Sequence, residues 1–473
     1  MPTTRREFLS ALSATLLANK MRLGASRPVP SPAQLEWQRK ELALFCHFGV
    51  NTFTDREWGE GTEDPAIFNP TAFDADQWTQ AAVAGGFRTI ILTAKHHDGF
   101  CLWPTATTRH SVAASPWRAG AGDVVAEVSA ACRRAGLGFG VYLSPWDRNH
   151  PTYGDSARYN DVYEAQLTEL LTRYGDIEEV WFDGANGEGP NGKRQVYDWP
   201  RTWGTVRRLQ PHAVIFSDAG PDVRWIGNEK GTAGDPCWAT VDPMVVPYPG
   251  VDGPDVIRML QHGTPDGILY RPGESDVSIR PGWFWHPAED DKVRSADNLL
   301  ELYASSVGRN SKLLLNVPPT REGRIHDVDA ARLAEFGAKR QAWVGAPVVT
   351  PVRASDSTGT ALGEPRALLR GGTHDGWSPA GLTGSLSLHW ARPTRVDTIS
   401  LHEAVGLGQR VAGYRVELEV NGRWQPASEG TTIGHRKLDR VPAQASTGVR
   451  VTITESLDRP VLSNLAVHRF PED

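Results

Sequence analysis

The sequence predicts an α/β protein, a TIM-like (β/α) barrel followed by an all-β sandwich. Three observations lead there. Strand-like and helix-like runs alternate from about residue 35 to 345. Polar and aromatic residues collect at the C-terminal ends of those strand runs. Beyond 345 helical periodicity stops and short alternating stretches take over, punctuated by turn residues. The length of 473 residues suits two domains, since one barrel takes about 250.

The chain opens with Thr4-Arg5-Arg6-Glu7-Phe8-Leu9, then an apolar run and small residues at Leu23-Gly24-Ala25. A charged start, a short apolar stretch and a small-residue site predict a signal peptide over 1–25, with paired arginines of the twin-arginine type. Delivery to the periplasm or beyond is the expectation. The run is too short to span a membrane, which takes about 20 apolar residues.

The barrel, expected over 35–345, begins with an apolar strand at 42–50. A helix at 74–86 follows, with Trp78, Ala81 and Ala82 on one face and glycines at its end. Residues 88–95 are β-branched and apolar, hence strand. Helix 123–136 spaces Val125, Val128 and Cys132 at three and four. Strand 138–143 precedes helix 159–174, striped by Tyr163, Leu167, Leu170, Leu171 and Tyr174. Residues 179–182, 213–217 and 313–317 read as strands, 297–307 and 328–343 as helices. Residues 220–290, rich in Gly, Pro and Trp, give no clear strands. Repeated strand–helix units mean parallel strands. The first strand lacks a G-x-G-x-x-G turn, which argues against an open dinucleotide-binding sheet. His47, His96, Tyr142, Asp183 and Asp218 all end strands, and a barrel gathers such ends around one mouth. After a linker at 346–357, strands at 386–390, 398–401, 413–420 and 448–453 predict a sandwich over 358–473.

A net charge of −6 excludes the basic stripe of a nucleic-acid binder. Cys46, Cys101, Cys132 and Cys237 have no zinc-ligand spacing and read as buried free thiols. Of the 17 Trp, Trp377, Trp390 and Trp424 could form a sugar platform in the sandwich, but packing is the preferred reading.

Chemistry centres on Trp181-Phe182-Asp183-Gly184. An Asp ending an apolar strand points into a barrel mouth, where it could attack a sugar carbon. A retaining glycosidase needs a second carboxyl roughly 5–5.5 Å away, to donate a proton and then activate water. Glu229, flanked by Gly227 and Gly231, Glu274 and Glu188 are all candidates, and spacing does not choose among them. An acid that keeps its proton needs apolar or anionic surroundings; Trp225, Trp238, Trp283 and Trp285 could supply walls. In Lys95-His96-His97-Asp98 the adjacent side chains point apart on an extended segment, so hydroxyl recognition is preferred over a metal. No metal or cofactor is expected.

His47-Phe48-Gly49, Glu57-Trp58-Gly59, Lys95-His96-His97-Asp98-Gly99-Phe100, Gly140-Val141-Tyr142-Leu143-Ser144 and Trp181-Phe182-Asp183-Gly184 occur in that order, with Leu315-Asn316-Val317-Pro318-Pro319 after them. Together they resemble glycoside hydrolase family 29, the α-L-fucosidases, over about residues 40 to 320. The resemblance implies a barrel, net retention, no metal and a fucosylated oligosaccharide or glycoconjugate as substrate. It implies Asp183 as nucleophile. It implies hydroxyl contacts from His47, His96 and His97, and a pocket lined by Tyr142, Trp58 and Trp285. Glu57 and Trp181 join the expected substrate-binding set from the same motifs, and Arg224 joins it from the 224–231 segment that carries Glu229. Gly227-Asn228-Glu229 and the 280–286 segment are similar to the branch acting on α-1,3 and α-1,4 linkages, which carries the acid/base role to Glu229. The C-terminal sandwich is similar to discoidin-like modules. Two other readings stand beside this one. The first is a glycosidase for another sugar such as galactose, against which an apolar wall from Phe48, Trp58 or Trp285 would favour the fucose methyl. The second is a non-catalytic glycan-binding protein.

Overall fold

The computed structural model describes residues 27–365 and 369–471, so the expected export segment lies outside the described residues. The chain runs α1 (Pro32–Arg39), β1 (Leu42–Cys46), α2 (Val50–Thr54), α3 (Ala75–Gly85), β2 (Thr89–Lys95), α4 (Val124–Ala135), β3 (Gly138–Leu143), α5 (Ser156–Arg173), β4 (Glu179–Trp181), α6 (Trp199–Leu209) and β5 (Val214–Phe216). It continues with β6 (Arg224–Trp225), β7 (Thr240–Val241), α7 (Pro254–His262), β8 (Leu269–Tyr270), β9 (Gly273–Ser278), α8 (Ala296–Ser305), β10 (Ser311–Asn316) and α9 (Asp327–Val344). Helix starts are set locally. Asp74, Asp123, Asp198 and Ser295 each accept a backbone N–H from the first turn they cap. Gly86 and Gly136 end α3 and α4 in the left-handed conformation.

Eight parallel strands are ordered β5-β4-β3-β2-β1-β10-β9-β6. The two edges meet through a parallel bridge between Phe216 and Val223, which brings the sheet round into a barrel. Two apolar layers result. Leu44, Ile90, Leu92, Val141, Val180, Leu313 and Leu315 face the helices. Phe45, Ile91, Tyr142, Trp181, Phe216 and Leu314 fill the interior. All four cysteines are free and buried.

The second domain is one antiparallel sheet: β11 (Arg353–Asp356), β12 (Ala361–Leu362), β13 (Gly384–Glu403), β14 (Val411–Val420), β15 (Arg423–Gly430), β16 (Lys437–Ser456) and β17 (Leu462–His468). β13 and β16 each run 20 residues and slip register between His389 and Thr394 and between Val396 and Thr398. Bulges of this kind bend a strand, and residues from both halves share one core with Trp377 and Trp390. Trp424 lies under the Arg450 guanidinium, 4.0 Å from its ring centroid. The expected linker is too long by several residues, because Arg353–Asp356 already pairs with β13. Buried polar contacts lock the domains together: Gln409 Oε1 accepts from Ala239 N (2.6 Å) and Asn310 Nδ2 (3.1 Å), and Lys437 pairs with Asp235 at 2.6 Å.

Candidate active site

Asp183 follows β4 directly, so its side chain stands at the barrel mouth with 27% of its surface exposed. Two donors hold it: Tyr142 Oη donates to Oδ2 at 3.0 Å and Ala185 N to Oδ1 at 2.7 Å. Tyr142, on β3, is buried and stacks on Trp181 with ring centroids 5.2 Å apart. Trp181 stacks in turn on Phe216 at 4.1 Å. Gly184 is needed for close approach, since a Cβ there would meet the Asp218 carboxylate at 2.8 Å.

Three histidines ring the nucleophile position. His97 donates through Nδ1 to Ser144 Oγ at 2.7 Å, because that hydroxyl is itself committed to Trp146 O. This leaves Nε2 as an acceptor, 3.8 Å from Asp183 Oδ2. His47 donates through Nδ1 to Asn316 Oδ1 at 2.8 Å, an assignment set by Asn316 Nδ2 donating to Ser278 Oγ and Trp283 O. His96 lies with its ring 4.1 Å from that of His97 and 5.6 Å from that of His47. Burial lowers the proton affinity of all three, that of His47 to about 4, so they are neutral rings at neutral pH. Behind them Lys95 is fully buried on Asp147, Tyr159 and Gln166, which fixes the end of β2.

Glu229 stands exposed at the rim, on the loop after β6, between Gly227 (φ +80°) and Gly231 (φ +67°). The protein around its carboxyl raises its proton affinity. Burial is the largest cause; a hydrogen bond from Trp283 opposes it, and the charges of Asp183 and Glu57 add to it. The other two acid candidates are placed differently. Glu274 is buried one layer down in the barrel, accepting from Trp181 Nε1 at 3.0 Å. Glu188 is exposed on the loop after β4, where its backbone carbonyl accepts from Trp146 Nε1, beside the His97 ring.

Two expected contacts are corrected, those of Arg224 and Phe48, and the surroundings of the expected tryptophans are defined. Arg224 is not a substrate ligand: it is buried, and its guanidinium donates to the backbone carbonyls of Leu260, Trp238 and Arg271. Phe48 forms no pocket wall; it packs into the helix-facing core against Phe53, Phe68, Phe73 and Trp78. Trp181 supports Tyr142 from inside the barrel. Trp285 turns its indole N–H to Asp290 (3.2 Å) beneath Arg321, and it is Trp283 whose ring meets His47, 5.2 Å away. Trp58 is 56% exposed, edge-on to His97 and Trp146.

Glu57 carries a role that the motifs did not indicate. Its carboxylate accepts from Trp283 N (2.8 Å), Phe284 N (3.1 Å) and His286 Nε2 (2.6 Å), while His286 Nδ1 reaches Asp55 at 2.8 Å. With both ring nitrogens on carboxylates, the proton affinity of His286 is raised: burial opposes this, and the bonds to Asp55 and Glu57 outweigh it. The clasp holds the tryptophan-bearing 280–286 loop over the mouth. Sequence reasoning also missed Asn316 and Ser144, although both lie in quoted motifs; what it lacked was the partner each one orients. Among the described residues no cluster of three or more His, Cys, Asp or Glu is placed to hold a metal ion, and no helix is long and apolar enough to cross a membrane.

Comparison with known proteins agrees with this geometry. The family model for alpha-L-fucosidase matches residues 34–343. Alpha-L-fucosidase 1 of Arabidopsis thaliana is 41% identical, over 98% of this chain and 92% of its own length. The crystal structure of SpGH29 superposes with a TM-score of 0.88 at 42% identity, over 94% of this chain and 99% of that one. A Ruminococcus gnavus GH29 fucosidase in complex with fucose superposes with a TM-score of 0.84 at 31% identity, covering 95% and 97%. With the family model matched over most of the barrel and relatives above 40% identity along nearly the whole chain, this chain belongs to the GH29 α-L-fucosidase family of glycoside hydrolases.

Proposed function

We propose that the protein is a retaining exo-α-L-fucosidase that removes α-1,3/1,4-linked L-fucose from branched glycans by double displacement. The observation that carries this reading is the unlike pair of carboxyls at the mouth. Asp183 is held by two donors at the mouth, and Glu229 stands close enough for Asp183's charge to help raise its proton affinity. A carboxyl that holds its proton more tightly suits the acid, and one fixed by donors suits the nucleophile. Asp183 attacks the anomeric carbon as the glycosidic C–O bond breaks, and Glu229 gives its proton to the departing oxygen. Glu229, now ionised, takes a proton from water as that water attacks the fucosyl–Asp183 ester and releases Asp183. The neutral histidines offer acceptors to sugar hydroxyls. The Gly227-Asn228-Glu229 segment and the loop clasped by Glu57 support the α-1,3/1,4 branch. Thr4-Arg5-Arg6 and the apolar run after it support export to the periplasm or beyond, and the C-terminal sheet is read as an appended discoidin-like module.

The test is fucose release from a Lewis-type trisaccharide and from an α-1,2-linked fucoside, with wild type and Asp183→Ala. Release from the branched sugar alone, abolished in the variant, is expected. Release from both sugars would discard the branch assignment, and release from neither would point to another sugar or to a binding role.

A further inference from the structure

β9 sends Glu274, Asp276 and Ser278 into the barrel in rising layers, and Asp276 is the middle one. It is 4% exposed, and it grips the loop that carries Glu229 at both ends. Its carboxyl Oδ1 accepts from the indole N–H of Trp225 at 2.8 Å, just before the loop. Its backbone carbonyl accepts from Gly231 N at 3.1 Å, just after it. Between those two points Ile226 N donates to Glu274 O (3.0 Å) and Trp283 bonds to the Glu229 carboxyl, while the loop's other bonds are short-range, Asn228 Nδ2 to Thr232 O (2.9 Å) and Lys230 N to Asn228 Oδ1 (3.0 Å). Gly227 and Gly231, both at positive φ, permit its sharp turns and leave it little intrinsic stiffness.

We propose that Asp276 is a positioning residue for the acid/base, a clamp that fixes Trp225 and Gly231 and so sets where the Glu229 carboxyl stands. This rests on the assignment of Glu229 made above. Burial, then the charge of Glu229, raises the proton affinity of Asp276 well above the ordinary carboxyl range, with Trp225 opposing and Asp183 adding. An asparagine reproduces its shape and keeps an oxygen that accepts from the Trp225 indole.

The experiment compares Asp276→Ala, Asp276→Asn, Trp225→Phe and the Asp276→Ala/Trp225→Phe double variant on a branched natural glycan and on an aryl fucoside with a good leaving group. A displaced catalytic group can lower turnover by about 100-fold. Asp276→Ala should lose on that order in kcat on the natural glycan and far less on the aryl fucoside, which needs little acid help. Asp276→Asn should regain most of the loss, and Trp225→Phe should add little to Asp276→Ala because both cut one link. Hydrogen exchange over peptides spanning 225–231 should speed up in Asp276→Ala and not in Asp276→Asn, a readout independent of activity. Equal losses on both substrates, an asparagine variant as impaired as alanine, additive losses, or unchanged exchange would each overturn the clamp. Faster exchange in a protein whose wild type releases no fucose from either substrate would leave the clamp standing and sink the fucosidase reading instead.

Discussion

In the sandwich domain, the buried Glu403 carboxylate accepts three backbone N–H groups, from Arg410 (2.8 Å), Val411 (2.9 Å) and Gly434 (2.7 Å). Asp439 is served by Tyr414 Oη at 2.9 Å and Ser428 Oγ at 2.7 Å. In the barrel, the buried Glu274 and Glu179 carboxyls share a hydrogen bond with each other instead of drawing on backbone N–H groups, and Asp218 Oδ1 is unpaired. Among the described residues, every buried side-chain polar atom without a partner lies between Asn51 and Arg340, and none is in the sandwich. Each such atom costs about 1–3 kcal/mol. The sandwich is built as a satisfied support. The barrel tolerates buried carboxyls of raised proton affinity in its interior and at its mouth, the kind of environment that gathers at functional sites.

The sharpest way to break this comparison is at the rim. Glu229→Ala should slow release of fucose from a branched glycan by about 10²–10⁴-fold, the usual worth of general acid catalysis. Loss on an aryl fucoside should be much smaller, as should any change in melting temperature, because Glu229 is exposed. Paired kinetics on the two substrates decide it: equal losses would mean that the raised proton affinity of Glu229 has no catalytic use. The alkaline limb of kcat/KM on the glycan should also vanish in the variant, since loss of the Glu229 proton with rising pH is what removes the acid in wild type.

The converse test sits in the sandwich. Leu401 is fully buried on β13, in register with Leu465 of β17. Leu401→Ala should destabilise that domain by about 2–5 kcal/mol, read by denaturant unfolding. At temperatures where the variant is folded, kcat/KM should stay within about twofold of wild type. A larger kinetic loss would show that the locked domain interface transmits sandwich packing to the mouth.

The same contrast explains what could be read in advance. β1, β2, β3, β4, β5 and β10 are apolar on both faces, as a parallel strand under helices must be, and they stand out in the sequence. β9 does not. Its Gly-Glu-Ser-Asp-Val-Ser string looks like a loop because Glu274, Asp276 and Ser278 face an interior built on hydrogen bonds, and outward Ser275 meets Ser311. β6 has only two residues, and closure there depends on the Phe216–Val223 bridge, a long-range contact without a local signature. For the site, the strand-end motifs located His47, His96, His97, Tyr142 and Asp183 at the mouth. They misplaced Arg224 because a buried guanidinium bound to backbone carbonyls looks, as sequence, the same as one that waits for a ligand. Glu57 is expected from its motif to bind substrate, but its partners lie more than 220 positions away, so its clasp on the 280–286 loop has no signature in the sequence.

Asp218 offers the finest test, because it is a mouth carboxyl with one bond where the sandwich would supply three. Its Oδ2 accepts from Gly250 N at 2.8 Å, and it presses on Gly184 beside the nucleophile. Burial above all, with Asp183's charge adding and Gly250 opposing, raises its titration from 3.8 to about 6. In that window the folded state binds more protons than the unfolded one, so stability falls as pH rises from about 4 to 6 and stays lower above. Asp218→Asn removes this slope and keeps an acceptor for Gly250. The variant should be more stable than wild type at pH 7 by up to about 3 kcal/mol, with the gap closing below about pH 4. Denaturant unfolding of both proteins across that range measures it. A gap that does not vary with pH, or an asparagine variant less stable at neutral pH, would mean that Asp218 is ionised and satisfied after all, and that this part of the mouth is built like the sandwich.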